Sequence, residues 1–340
     1  MRSSFLEYAR LIRLPGLGGF SIAPVFGAIS LIYIGVYVDL KILILLFLIG
    51  VFKSIYGIVL NDYADIEIDK LSEDSSKRPL VKGTISKKTA LIICVLCVIG
   101  VFVIVFLFFY KNQLSFYLGI LCIIVAAIFG TIYNLYGKRF SFSAIISALA
   151  DALFVLVGAF LVSNDINLNI FTWVVFILVF TQYFFMTAVV GGIKDADHDI
   201  LMNVKNIALA SGVRVYEENK LFIPIRFKAF ALGIRFFDGF VVFVPFAFYR
   251  ADYELWHILL LLFLVLVVLY FSVKLINIKT LERRGRTVKI LGLQGVLRYS
   301  FVPIILVPVI GLFYAFLLVI FPLLWYIIFR FTVVKDYFAS

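Results

Sequence analysis

Along this chain, long apolar runs alternate with short polar segments. The runs fall at residues 14–38, 41–60, 89–110, 114–135, 142–163, 170–192, 229–249, 255–276 and 300–329. Each is near or above the ~20 apolar residues that a membrane-crossing helix requires. The pattern predicts an all-α integral membrane protein with nine transmembrane helices, forming a single polytopic membrane domain over residues 1–340. The first run, LPGLGGFSIAPVFGAISLIYIGVYV, is too long and too poor in small cleavage residues for a removed signal peptide, and reads as a span. The last run exceeds what a bilayer needs. Pro303, Pro308 and Pro322 predict tilt, a kink or a re-entrant part there.

Composition agrees with this pattern. The chain is 64% hydrophobic and 15% charged, against ~45–50% and ~25% for a soluble domain. A net charge of +11 would suggest nucleic acid in a soluble protein. Here its distribution matters more, and no nucleic-acid partner is implied. Twenty-five Lys and Arg fall on the N-terminal side of the predicted spans, counting Lys194, Arg235, Lys274 and Arg298 with their neighbouring loops. Five fall on the other side: Lys41, Lys111, Arg250, Arg330 and Lys335. Positive charge gathers on the cytoplasmic side of membrane proteins. The split therefore predicts a multi-pass cell-membrane protein with its N-terminus cytoplasmic and its C-terminus outside. The cysteines (Cys94, Cys97, Cys122) all lie in apolar runs. The CxxC spacing of the first two has no polar context and reads as helix packing.

Two acidic clusters break this greasy pattern. NDYADIEIDK at 61–70 closes the second run, and KDADHD at 194–199 closes the sixth, on the same cytoplasmic edge. Asn61, Asp65 and Asp69 are spaced i, i+4, i+8, and Asp62 and Asp65 are i, i+3; Asp195 and Asp199 are i, i+4. Such spacings share a helix face. Two stripes of this kind facing each other would repel unless a hard cation relieved them. Mg2+ takes oxygen ligands, commonly one or two carboxylates with water and phosphate oxygens, so a Mg2+–diphosphate complex is the simplest partner. Two other readings stand beside it. The aspartates could be solvated helix ends, or they could serve a cation-coupled transporter, which predicts carboxylates near mid-bilayer and a path to both sides.

With these motifs in view, the chain resembles the UbiA superfamily of intramembrane prenyltransferases. That family carries NDxxDxxxD after its second helix, matched here by Asn61, Asp62, Asp65 and Asp69. Its DxxxD after the sixth helix is matched by Asp195 and Asp199. SKRPLVKGTIS resembles the family's RPLxxGxIS segment through Arg78, Pro79, Leu80 and Gly83. YNLYGKR is similar to its tyrosine-plus-basic segment, through Tyr133, Lys138 and Arg139, and RLIRLPG to its first-helix entry, through Arg13 and Pro15. KNIALASG at 205–212 sits where the family has a Lys/Thr stretch ending in Gly. The charged connection 213–228 is longer than the family leads one to expect.

The resemblance implies nine helices around a central cavity capped by loops 61–88 and 193–228, with the active site towards the cytoplasmic face. It implies transfer of a prenyl group from an allylic diphosphate (geranyl to geranylgeranyl or longer) to a hydrophobic acceptor. Asp62, Asp65, Asp69, Asp195 and Asp199 are then the Mg2+ ligands, with Asn61 ligating or orienting a carboxylate. Arg78, Lys138, Arg139 and Lys194 are candidates for the diphosphate, and Tyr133 and Arg13 for the substrate pocket. Glu67 lies off the aspartate stripe and reads as solvated. The motifs look most like those of the aromatic-acceptor branch, which makes a quinone precursor the expected acceptor. A prenylglyceryl phosphate or a haem acceptor are the alternatives. Lys53 is expected to pair with Asp151, and Arg235 with Asp238.

Overall fold

The computed structural model describes residues 2–70, 75–249, 253–280 and 294–333. Among them are nine helical segments long and apolar enough to cross a membrane: Leu14–Ile34, Leu40–Ala64, Lys87–Phe108, Leu114–Arg139, Ser143–Val162, Ile170–Lys194, Ile225–Phe248, Leu255–Ile276 and Val307–Thr332. Arg250, Lys335 and the basic run from Arg283 to Lys289 lie outside the described residues.

The chain divides into two compact units. One holds Met1–Leu135, Leu153–Asn167 and the chain from Ile320; the other holds Tyr136–Ala152 and Leu168–Val319. In the first unit the Leu40–Ala64 and Lys87–Phe108 helices pack along each other. Their starts are set by short polar side chains. Asp39 accepts from Ile42 N at 2.8 Å and Ser86 from Thr89 N at 3.0 Å, each satisfying a backbone donor that the first turn leaves orphaned. Leu91, Ile92, Val95, Leu96 and Ile99 are exposed on the second helix, as expected where lipid is the solvent.

The first span is not the continuous helix predicted over 14–38. It is a chain of short turns, Leu14–Gly16, Leu17–Phe20, Ala23–Ser30 and Ile32–Ile34, followed by non-helical residues to Asp39. Pro15, Gly16, Gly18 and Gly19 interrupt it, and its small residues permit very close packing. A Cβ on Gly27 would lie 1.9 Å from Val155 O, and one on Gly158 1.8 Å from Pro24 O. Backbone meets backbone at both points, as at the small-residue contacts of membrane helices.

In the second unit the Ile170–Phe185 helix packs on Ile225–Phe248, which packs on Leu255–Ile276. The Ile225–Phe248 helix starts four residues earlier than the predicted 229, directly after Pro224. Part of the connection at 213–228 is a two-stranded antiparallel hairpin, Arg214–Val215 with Leu221–Phe222. The predicted 300–329 helix is interrupted. Phe301–Ile305 is separate, and Gly311 at φ 78°, ψ 161° breaks Val307–Thr332; glycine tolerates this conformation.

Two cations counted as loop charges are buried inside this unit. Arg235 and Arg298 are 1% and 2% exposed, so neither contributes to the charge asymmetry of the loops. Arg235 Nη1 donates to Asp238 Oδ2 at 2.7 Å, the pairing expected from their i, i+3 spacing. Arg298 Nη2 donates to Asp238 Oδ1 at 2.7 Å and to Leu178 O at 2.8 Å. Thr181 Oγ1 also donates to Asp238, and the Arg235 guanidinium stacks 3.5 Å from the Phe185 ring centroid. The cluster ties three helices together through one carboxylate.

Candidate functional site

The first aspartate motif lies where the Leu40–Ala64 helix ends. Asp65, at φ −93°, ψ 4°, closes that helix, and Ile66–Asp69 forms a separate turn. The expected stripe is therefore kinked at Asp65 rather than straight. Backbone bonds still cross the kink, from Asp65 N to Asn61 O at 3.0 Å and from Asp69 N to Asp65 O at 2.8 Å. Asp62 and Asp69 are buried, while Asn61 and Asp65 are half-buried. Glu67 stands in solvent, paired with Lys70 at 2.8 Å, as its position off the stripe leads one to expect.

Two arginines converge on these carboxylates. Arg78 Nη1 donates to Asp69 Oδ2 at 2.5 Å and to Asp62 Oδ1 at 3.2 Å. Arg13 Nη2 donates to Asp62 Oδ1 at 2.8 Å. Arg13 can reach because its backbone turns through the left-handed region, φ 49° and ψ 49°, just after the Arg2–Leu11 helix. Arg78 sits on the extended residue before the short Pro79–Lys82 helix, which ends at Gly83 with φ 73°. That segment is anchored to the N-terminal helix by Thr84 Oγ1 donating to Glu7 Oε2 at 2.8 Å.

Three carboxylates and two guanidiniums thus meet at this helix end. Burial first, and then the charges of Asp62 and Asp65, push the Asp69 carboxyl up to about 6 against the opposing pull of Arg78. No three His, Cys, Asp or Glu side chains among the described residues close on a common point for a metal ion; Asp62 and Asp69 are engaged with Arg78. The donor set nevertheless suits a hard divalent cation. It is all oxygen and partly dry.

Tyr133, half-buried on the Leu114–Tyr136 helix, belongs to the same unit. Its turn is anchored to the motif helix by Tyr56 Oη and Thr131 Oγ1 at 2.5 Å and by Asn134 Nδ2 donating to Gly57 O at 3.3 Å. Lys53, two turns deeper than the motif, lies 5.5 Å from the Phe154 ring centroid. Cys94 and Cys97 are buried in the Lys87–Phe108 helix with free thiols, consistent with packing.

The second motif is built differently. The Ile170–Phe185 helix widens into a π-helical turn over Met186–Gly191 before Gly192–Lys194. Such π turns recur at functional sites. Asp195 ends this stretch and Ala196–Leu201 follows, with Asp199 N bonded to Asp195 O at 2.9 Å. Asp195 and Lys194 are exposed, and Asp197 and Asp199 half-buried. His198 Nδ1 lies 2.9 Å from Asp197 Oδ1.

Asn206 is a residue that motif reading missed. Its Oδ1 accepts from Leu209 N at 2.8 Å, capping the Ile207–Ala210 helix, while its Nδ2 donates to Asp199 Oδ2 at 2.6 Å. One side chain thus holds a helix start and orients a motif carboxylate. An Asn directly before an apolar IALA run was the available signal. Gly192 admits this helix: a Cβ there would lie 2.6 Å from Ala208 Cβ. Lys138 joins the same region through its carbonyl, which accepts from Lys205 N at 2.9 Å. The exposed Arg139 guanidinium lies 5.2 Å from the Tyr136 ring centroid.

Comparison with known proteins supplies a framework for these clusters. The profile of the UbiA prenyltransferase family matches residues 21–293. The digeranylgeranylglyceryl phosphate synthase of Saccharolobus solfataricus is 26% identical over 310 residues, covering 87% of this chain and 96% of that protein. The protoheme IX farnesyltransferase of Protochlamydia amoebophila is 28% identical over 160 residues, covering 47% of this chain and about half, 53%, of its relative. A structure of a UbiA homolog from Archaeoglobus fulgidus bound to GPP and Mg2+ superposes with a TM-score of 0.61 at 16% identity, covering 89% of this chain and 99% of that one. A structure from work on digeranylgeranylglyceryl phosphate synthase in membranes gives 0.65 at 19% identity, over 91% and 100%. At these identities the structural likeness shows a shared fold.

Proposed function

The chain belongs to the UbiA prenyltransferase family, and on that premise we propose that it transfers a prenyl group from an allylic prenyl diphosphate to a hydrophobic acceptor, releasing pyrophosphate. The observation that carries this reading is the bridge of Arg78 between Asp62 and Asp69, with Arg13 on Asp62. It is a preorganised, partly dry set of charges suited to a diphosphate and its counter-ion.

Ionisation breaks the allylic C–O bond, and the electron pair leaves with pyrophosphate. An acceptor nucleophile then bonds to the allylic carbon and loses its proton. Mg2+ held by Asp62, Asp65 and Asp69, with Asp195 and Asp199 assigned the same role, would stabilise the charge growing on the leaving group. The Archaeoglobus fulgidus homolog bound to GPP and Mg2+ supports that assignment. Arg78 Nη2 and Nε make no hydrogen bond to a described residue and are assigned to phosphate oxygens; Arg13 fixes Asp62. Preorganised donors of this kind act most strongly where water is excluded. Asn61 orients a neighbouring carboxylate, and Lys138, Arg139 and Lys194 are assigned to the diphosphate. Tyr133 is assigned to the prenyl pocket. The positive-inside pattern supports placing the aspartate motifs on the cytoplasmic side, even with Arg235 and Arg298 removed from the count.

For the acceptor we favour a glyceryl phosphate that already carries one prenyl ether, whose free hydroxyl oxygen would attack the allylic carbon. The support is coverage: the match to digeranylgeranylglyceryl phosphate synthase runs along nearly the whole chain, whereas the match to protoheme IX farnesyltransferase covers about half. The aromatic quinone precursor suggested by the motifs is the second reading. The test is to incubate purified protein with labelled geranylgeranyl diphosphate, with Mg2+ or EDTA. Geranylgeranylglyceryl phosphate, 4-hydroxybenzoate and dihydroxynaphthoate would be offered in parallel. Transfer to the first alone, lost with EDTA and in Asp65→Ala and Asp199→Ala, is expected. Transfer to an aromatic acid alone would overturn the acceptor assignment but keep the chemistry.

A further inference from the structure

The end of the first unit remote from its aspartate motif has a cavity that the prenyl-transfer reading does not use. Lys41 is one residue inside the Leu40–Ala64 helix and twenty-one residues before Asp62. At ~1.5 Å per residue that separation is roughly 30 Å, about the thickness of a bilayer's hydrocarbon core. Lys41 therefore marks the opposite membrane boundary. The sequence places only five cations on that side, and two of them, Lys41 and Lys111, line one cavity of about 370 Å³.

The two ammonium groups are held differently. Lys111 Nζ donates to Ser163 O and, at 3.4 Å, to Asn164 Oδ1, and its third proton has no partner among the described residues. Partial burial pulls its pKa down to about 8; a bound anion would raise it again. Lys41 Nζ lies 5.5 Å from the Phe108 ring centroid, with neither a hydrogen bond nor a carboxylate partner among the described residues. Among the described residues, Asp39 is the one acidic residue lining the cavity, and its Oδ1 is engaged in capping Ile42 N. Two cations against one anion leave the cavity net positive.

The remaining walls exclude a purely soluble ligand as the best fit. Ile42, Leu45, Phe108, Phe109, Leu161 and Val162 line the same cavity. Phe108 and Tyr110 are also exposed at its rim, 51% and 62%, in the manner of aromatic side chains at a membrane interface. A ligand matching both halves needs an anionic head and an apolar body. We propose that this cavity binds an anionic membrane phospholipid, its phosphate received by Lys41 and Lys111 and its acyl chains lying along the apolar wall. Basic pockets between membrane helices recognise lipid headgroups by the same physics.

The test is lipid retention, read by native mass spectrometry on the full-length protein after equilibration with mixed phosphatidylglycerol and phosphatidylcholine. The variants are Lys41→Gln, Lys41→Arg and the double variant Lys41→Gln/Lys111→Gln. Lys41→Gln removes no hydrogen bond among the described residues, so it remains informative if loss of Lys111 unsettles the 163–164 loop. Wild-type protein is expected to retain phosphatidylglycerol over phosphatidylcholine. The preference should fall about fivefold for each lysine removed, recover in Lys41→Arg, and leave prenyl transfer unchanged. Equal retention of the two lipids by wild type, or undiminished preference in Lys41→Gln and the double variant, would overturn the proposal. Displacement of the lipid by free glycerol phosphate at equal concentration would also overturn it, reassigning the cavity to a soluble anion.

Discussion

Arg78 Nη1 stands 2.5 Å from Asp69 Oδ2. The same nitrogen reaches Asp62 at 3.2 Å, so one guanidinium spans both ends of the NDYADIEID segment across the kink at Asp65. This contact turns a row of mutually repelling carboxylates into a shaped site.

Replacing Arg78 by Ala removes the bridge and the proposed phosphate donor together. kcat/KM for the prenyl diphosphate is expected to fall about 100-fold or more, the usual cost of losing a preorganised donor at developing negative charge. Arg78→Lys keeps the charge but not the fork, and should recover only part of the loss. Steady-state kinetics on detergent-purified variants would check this, with circular dichroism confirming the helical content.

Asp69 sets a pH dependence. Its carboxyl is raised to about 6, so the fold favours its neutral form. In metal-free protein this group's contribution to stability is greatest below the ordinary carboxylate value and is lost as pH rises through about 6. Metal binding, on the proposed role of Asp69, runs the other way, because a carboxylate ligand must be ionised. Mg2+ affinity should weaken about tenfold from pH 7 to pH 5, and Asp69→Asn should abolish this limb of the profile. Mg2+ titrations at the two pH values measure it.

Asn206 separates capping from orientation. Asn206→Ala should cost about 1 kcal/mol from the lost cap and raise KM for the diphosphate by removing the amide bond that orients Asp199. Asn206→Ser can still cap, but its hydroxyl does not reproduce the 2.6 Å amide bond to Asp199. It should therefore keep stability while retaining the KM defect. Thermal unfolding and kinetics on both variants distinguish the two roles.

Asp238 is the shared counter-ion of Arg235 and Arg298. Asp238→Asn leaves two buried cations uncompensated and should destabilise the second unit by about 3–5 kcal/mol. The triple change Arg235→Met, Asp238→Leu, Arg298→Met should be markedly more stable than that single change, because it removes the buried charges altogether. Denaturation in mixed micelles gives the comparison.

Much of the fold was legible because hydrocarbon leaves the backbone few choices. Runs such as 89–110 have to be helices, and the structure places one at Lys87–Phe108. The first span resisted because hydropathy is blind to Pro15, Gly16, Gly18 and Gly19, which interrupt it, and to Gly27, where backbones nearly touch. Arg298 was misread as a loop charge because a count of cations does not reveal that Asp238, sixty residues away in sequence, receives it. The aspartates announced themselves by type and spacing. Their partners were less visible: Arg13 depends on a left-handed turn, and Asn206 on a cap whose other end is a motif carboxylate.

The central claim is that the first motif holds a metal–diphosphate complex. Its most direct test is the binding of a non-ionising allylic thiolodiphosphate to purified protein by calorimetry, with Mg2+ or EDTA. Wild-type, Asp62→Asn and Asp69→Asn proteins would be compared. The account predicts saturable binding that requires Mg2+ and weakens by about two orders of magnitude in Asp62→Asn. Binding that is indifferent to both EDTA and the aspartate changes would contradict it.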